Sequence, residues 1–137
     1  MVHLVEMLPF CSSATMLNLG GNQISDRGAR AVATAFSDGA LRTLERLYLL
    51  NNSIGDDGTK ALAEVIGKGG LPELKDLVLS SNQIGNDGAV ALAEAVGKGA
   101  LPKLERLLLF GNNLSEAGRE QCEAVVKEKR SGLEVKI

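Results

Sequence analysis

The sequence predicts an α/β solenoid, a right-handed coil with short parallel strands inside and α-helices outside. Three observations carry this. The chain repeats itself every thirty residues, each repeat changes hydrophobic period halfway along, and leucine, with 22 copies, dominates the apolar positions while aromatics make up 3%. Segments 41–70 and 71–100 align without a gap and agree at 16 of 30 positions. Self-similarity at a fixed period of this length is the signature of stacked repeats.

The same frame defines four units, 11–40, 41–70, 71–100 and 101–130, in a single domain spanning 1–137. Asn22, Asn52, Asn82 and Asn112 recur at the thirty-residue interval, as do Gly28, Gly58, Gly88 and Gly118. In the first half of each unit the leucines alternate, as in Leu47 and Leu49 or Leu77 and Leu79, which is the period of a strand. After the Asn the spacing turns helical, with Ala61, Leu62, Val65 and Ile66 on one face. Ser25-Asp26 and Gly55-Asp56-Asp57 place capping and acidic residues where each helix would start. Gly67-Lys68-Gly69-Gly70 would end the helix, and Leu71-Pro72 opens the next unit. The repeated Gly ahead of Ala-Leu-Ala is expected either to let the helix lie close to the sheet or to serve a backbone conformation.

One strand and one helix cannot bury their apolar faces alone, whereas four stacked pairs can. Strands joined by helical crossovers must run parallel, and such crossovers are right-handed. The chain then turns sharply after each strand, leaving backbone donors and acceptors inside. An amide side chain satisfies both kinds, so Asn22, Asn52, Asn82 and Asn112 are expected to form a structural ladder through the stacked turns.

The composite string LxxLxLxxNxIxDxG followed by ALA, seen whole in Leu44 to Ala63, resembles the ribonuclease-inhibitor-like class of leucine-rich repeats. That class also includes the sensing domains of NOD-like receptors and the body of the Ran GTPase-activating protein. The resemblance covers positions 2–126 and is specific for fold; its members inhibit, sense, scaffold or activate GTPases on one backbone. This chain departs from the usual unit in its thirty-residue length, with an inserted Gly-Lys-Gly before Leu-Pro, and in having four units.

The ends differ from the middle. Residues 1–10 resemble the closing helix of a preceding unit, with Leu4, Val5, Met7 and Leu8 as a stacking face open to self-association or a larger assembly. Arg119, Glu120, Gln121, Glu123, Lys127, Glu128, Lys129 and Arg130 make the last helix polar, as a terminal cap should be. Leu133, Val135 and Ile137 alternate with polar residues, so 131–137 is expected to add a final strand.

Composition excludes several functions. With 15 basic and 17 acidic residues the net charge is -2, which offers nucleic acid no basic footprint. No apolar run is long enough for membrane insertion. The opening stretch lacks a basic n-region, so an intracellular, cytoplasmic setting is expected. His3 is the single histidine, and Cys11 and Cys122 are too few and too distant for a zinc site or disulfide framework. Asp56-Asp57-Gly58 and Asn86-Asp87-Gly88 lack the alternating acids of a calcium loop, and Gly67-Lys68-Gly69 lacks the frame of a phosphate loop. Neither a metal nor a cofactor is implied, and no catalytic constellation is present in the sequence pattern.

The inner strand face is the expected functional surface. Residues flanking the buried leucines point there: Met16 and Asn18, then Arg46, Tyr48 and Leu50, then Asp76, Val78 and Ser80, then Arg106, Leu108 and Phe110. Of these, Arg46, Tyr48, Leu50, Asp76, Val78, Arg106, Leu108 and Phe110 form an apolar strip with a charged rim, the composition of a surface that binds a protein or peptide on a concave sheet. The competing reading is that these side chains pack across strands and stabilise the sheet alone, the chain being a structural subunit or a fragment of a longer array. A GTPase-activating role, implied only by the resemblance, ranks last because no catalytic arginine loop and no acidic tail accompany the repeats.

Overall fold

A computed structural model describes residues 13–137 of the chain. Strand and helix alternate along it: β1 (Met16–Asn18), α1 (Asp26–Ser37), β2 (Arg46–Tyr48), α2 (Asp56–Gly67), β3 (Asp76–Val78), α3 (Asn86–Gly97), β4 (Arg106–Leu108), α4 (Glu116–Lys129) and β5 (Glu134–Lys136). The five strands form one parallel sheet in chain order. The register keeps the thirty-residue step from β1 to β4 and shortens to twenty-eight at β5, so that Leu17, Leu47, Leu77, Leu107 and Val135 lie side by side. This is the α/β solenoid of strands and crossover helices. The expected helix over residues 1–10, its face of Leu4, Val5, Met7 and Leu8, and both His3 and Cys11 lie outside the described residues.

Leucine is repeated because a core between one sheet and one helical layer needs the same shape in every unit. Leu44, Leu47 and Leu49 are fully buried, as are their counterparts Leu74, Leu77 and Leu79. They meet Leu62 and Ile66 of α2 and Leu92 and Val96 of α3 in one continuous cluster. Each such side chain contributes about 1.5–3 kcal/mol by leaving water. Phe36 fills the corresponding place at the end of α1 and is likewise fully buried.

The Gly-Lys-Gly segment terminates its helix by defined hydrogen bonds. In α2, the Gly69 amide donates to the Ile66 carbonyl and the Gly70 amide to the Val65 carbonyl, both at 3.0 Å. This crossed pair is a Schellman cap, which needs a left-handed residue, and Gly69 supplies it at φ +81°. Helix α4 ends differently. It runs to Lys129 without such a glycine, and the Arg130 side chain turns inward, its Nη1 donating to the Leu101 carbonyl at 2.7 Å and its Nη2 to the Leu104 carbonyl at 3.0 Å. Arg130, expected among the polar residues of the outer cap surface, instead ties the last helix to the entry of its own unit.

The starts of the helices also differ from expectation. Ser25 makes no side-chain cap bond to its own helix. Asp26 instead serves the helix after it: its Oδ1 accepts from the Gly55 amide at 2.7 Å and the Gly58 amide at 2.9 Å. Those are the two donors that a capping box satisfies from within a single helix. Asp56 repeats the arrangement on Gly85 and Gly88, at 2.8 and 2.9 Å. At the last junction the work is divided. Asn86 Oδ1 accepts from the Ser115 amide and Ser115 Oγ from the Gly118 amide, while Asn86 Nδ2 donates to Ser115 Oγ.

These contacts explain the repeated glycine. A Cβ at Gly58 would lie 2.7 Å from Asp26 Oδ1, one at Gly88 2.7 Å from Asp56 Oδ1, and one at Gly118 1.9 Å from Asn86 Oδ1. The glycine makes room for the preceding helix terminus rather than for the sheet.

Candidate protein-interaction face

The sheet presents two faces. Its central residues, Leu47, Leu77 and Leu107, point into the core, so the residues on either side of them point away from the helices. The register then sorts the open face into rows. The first holds Met16, Arg46, Asp76, Arg106 and Glu134, and the second Asn18, Tyr48, Val78, Leu108 and Lys136. Leu50, Ser80 and Phe110 continue the pattern just beyond the strand ends.

The first row is held together by charge. Asp76 Oδ2 lies 3.8 Å from Arg46 Nε and 3.3 Å from Arg106 Nη2, so one carboxylate sits between two guanidinium groups from the neighbouring strands. Arg106 Nε is buried and without a hydrogen-bond partner. Below this row, Lys75 pairs with Glu45 at 3.2 Å and Lys103 with Glu73, again one repeat apart.

The apolar rows are uneven in exposure. Tyr48, Leu50 and Leu108 are half-buried, and Phe110, at 50% exposure, is the most open large apolar side chain among the described residues, ahead of Met16 at 45%. Val78 is only 7% exposed. It was expected to present itself with its neighbours, but in the middle of the row it is covered and contributes floor rather than contact surface. Ser80 is fully buried between Leu50 and Phe110, and its Oγ finds no hydrogen-bond partner.

The Asn residues lie behind this face, in the turns. Asn52 Oδ1 accepts from the amides of Asn22 (3.0 Å) and Ile24 (2.9 Å), and its Nδ2 donates to the carbonyls of Leu19 and Leu49 (both 3.0 Å). Asn82 accepts from Ile54 (3.1 Å) and donates to Leu49 (2.9 Å) and Leu79 (3.0 Å). Asn112 accepts from Asn82 and Ile84 and donates to Leu79 and Leu109. Each amide therefore joins its own turn to the turn before it. Asn22 is exposed, and its Nδ2 donates to Gly20 of its own turn at 3.1 Å. The turn geometry has a second feature that composition hides: Gly21, Asn51, Ser81 and Gly111, each just before the Asn, all have positive φ, between 54° and 75°.

Other candidate sites are weak in chemistry. Among the described residues no group of three or more His, Cys, Asp or Glu side chains could hold a metal ion. Cys122 is buried in the core, and burial, with a smaller contribution from the Glu123 charge, pushes its thiol up to about 11. A protonated, covered thiol is a packing group. No helix among the described residues is long and apolar enough to cross a membrane.

Comparison with known proteins agrees with this geometry. The family model described as Leucine Rich repeat matches residues 15–33, 40–63 and 71–93. No curated protein matches the chain as a sequence relative. Among solved structures, one titled Leiomodin-1 Actin-Binding Site 2 superposes with a TM-score of 0.79 at 17% identity, over 98% of this chain and 76% of that one. An identity this low speaks for the fold and not for a shared partner. With a thirty-residue strand-and-helix unit, an amide-bridged turn and a matching repeat model, the chain has the fold of a leucine-rich repeat solenoid.

Proposed function

We propose that the chain is a non-enzymatic protein-interaction module that presents the open sheet face to a protein or peptide. The observation that carries this reading is the in-register strip of Tyr48, Leu108 and Phe110, half-buried or exposed on a face that no other described element covers. Aromatic and bulky aliphatic side chains held rigidly beside a charged row are the composition of interface anchors. The ribonuclease-inhibitor-like repeat class and an intracellular setting belong to the same proposal. The solved neighbour's title names actin binding; here actin enters only as one protein to test.

Burial of Val78 favours a second reading, in which the rows chiefly pack across the sheet and the chain is a structural segment. One experiment separates the two. Tyr48→Ala with Phe110→Ala should abolish capture of the proteins that the unaltered chain retains from a lysate, at an unchanged circular-dichroism melt. Intact capture with a large loss of melting temperature would replace the binding reading with the structural one.

A further inference from the structure

We propose that the open face selects a partner segment carrying an Asp or Glu side chain beside bulky apolar ones; this deepens, and rests on, the reading of that face as the binding surface. Formal charge along the first row alternates, from Arg46 through Asp76 and Arg106 to Glu134. What reaches solvent does not. The Asp76 side chain is 16% exposed and its Oδ2 already faces both arginines, whose side chains are 52% and 40% exposed. Glu134 is taken up by Lys136 at 3.4 Å, and the Glu45–Lys75 and Glu73–Lys103 pairs are internally neutral. Two guanidinium groups thus share one covered carboxylate, leaving a cationic surplus with unused N–H donors. Glu105 is the exposed acid nearest in sequence; it precedes β4 and stands outside the two inner rows.

The surplus lies beside the apolar strip. Rows two residues apart are separated by about 7 Å, and Arg46 and Arg106, two strands apart, by about 10 Å at the backbone. A carboxylate over Asp76 would meet both guanidinium groups, which favour carboxylate geometry. Apolar side chains one and two rows further along the same segment would then lie on Tyr48, Leu108 and Phe110. A basic segment would face two like charges instead, and a purely apolar one would cover the arginines without pairing them.

The test uses a random linear peptide library displayed against the unaltered chain. Enriched peptides should carry Asp or Glu within a few residues of Leu, Ile, Met or Phe and should weaken with added salt. Arg46→Gln and Arg106→Gln combined with Asp76→Asn neutralise the row without stranding the carboxylate; that variant should bind the same peptides about tenfold or more weakly, at an unchanged melt. Peptides that need Phe110 yet show no acidic preference, or an undiminished affinity in the neutral-row variant, would overturn this inference alone. Enrichment that survives Phe110→Ala with Tyr48→Ala, or no enrichment at all, would overturn the binding-face reading along with it. If the neutral-row variant fails to keep its melt, Glu105→Gln supplies the arm: it adds to the cationic surplus and should tighten acidic peptides, and unchanged or weaker binding overturns the inference.

Discussion

Asp56 Oδ1 accepts a hydrogen bond from the Gly88 amide at 2.9 Å, although the two residues are thirty-two positions apart. The carboxylate thus stands at the N-termini of two successive helices, where both dipoles favour a negative charge. Asp56→Ala should cost about 1–2 kcal/mol, the loss expected of a helix cap, measured by urea denaturation. Gly88→Ala should destabilise as well, because its Cβ would meet both Asp56 Oδ1 at 2.7 Å and the Asp56 backbone at 3.0 Å. Gly67→Ala is the control: a Cβ there meets nothing within 4 Å, and the added helix propensity should leave stability equal or higher.

The Asn residues should not be equivalent. Asn82 is buried and bridges two turns, so Asn82→Ala strands several backbone groups and should cost about 1–3 kcal/mol or more. Asn22→Ala loses a bond within one exposed turn and should cost far less. Equal denaturation midpoints for the two variants would remove the inter-turn account.

Ser81 holds φ 56° in a position that two other repeats fill with glycine. Ser81→Gly relieves a left-handed backbone conformation that costs an L-residue about 1–2 kcal/mol, offset in part by glycine's greater freedom in the unfolded chain. A raised melting temperature is the expected outcome.

The buried Cys122 gives a pH dependence with a definite sign. Its thiol is raised from 9.0 to about 11, so the folded state holds the proton more tightly than the unfolded state does. The stabilising difference is present below pH 9 and is lost as pH rises through 11. In a Cys11→Ser background, Cys122 should resist alkylation at pH 8 until denaturant opens the core, and Cys122→Ala should flatten the alkaline fall in stability.

Arg130 donates to the carbonyls of Leu101 and Leu104, so Arg130→Met, which keeps most of the stem, isolates the loss of those bonds. Amide exchange in residues 131–137 should quicken while that in α2 stays unchanged. Uniform exchange across both regions would show that the guanidinium does not hold this end.

The repeat itself determined the fold class. A thirty-residue period, leucines alternating before Asn52 and helical spacing after it leave one architecture in which every unit buries the same face, and that pattern is wholly local. It also placed Arg46, Tyr48, Asp76, Leu108 and Phe110 on one sheet face, because side-chain direction in a strand follows from parity. Tertiary structure decided what depends on the neighbouring unit. Asp56 looks in sequence like a cap for its own helix, yet its acceptor is used by the next one; Gly88 is small because of Asp56, a residue with no local link to it. Val78 has the pattern of a contact residue and is covered, and Arg130 has the pattern of a surface charge and is folded inward. Periodicity specifies which way a side chain points, whereas burial and hydrogen bonding depend on how closely successive turns stack, and that spacing is set only when the whole coil closes on its core.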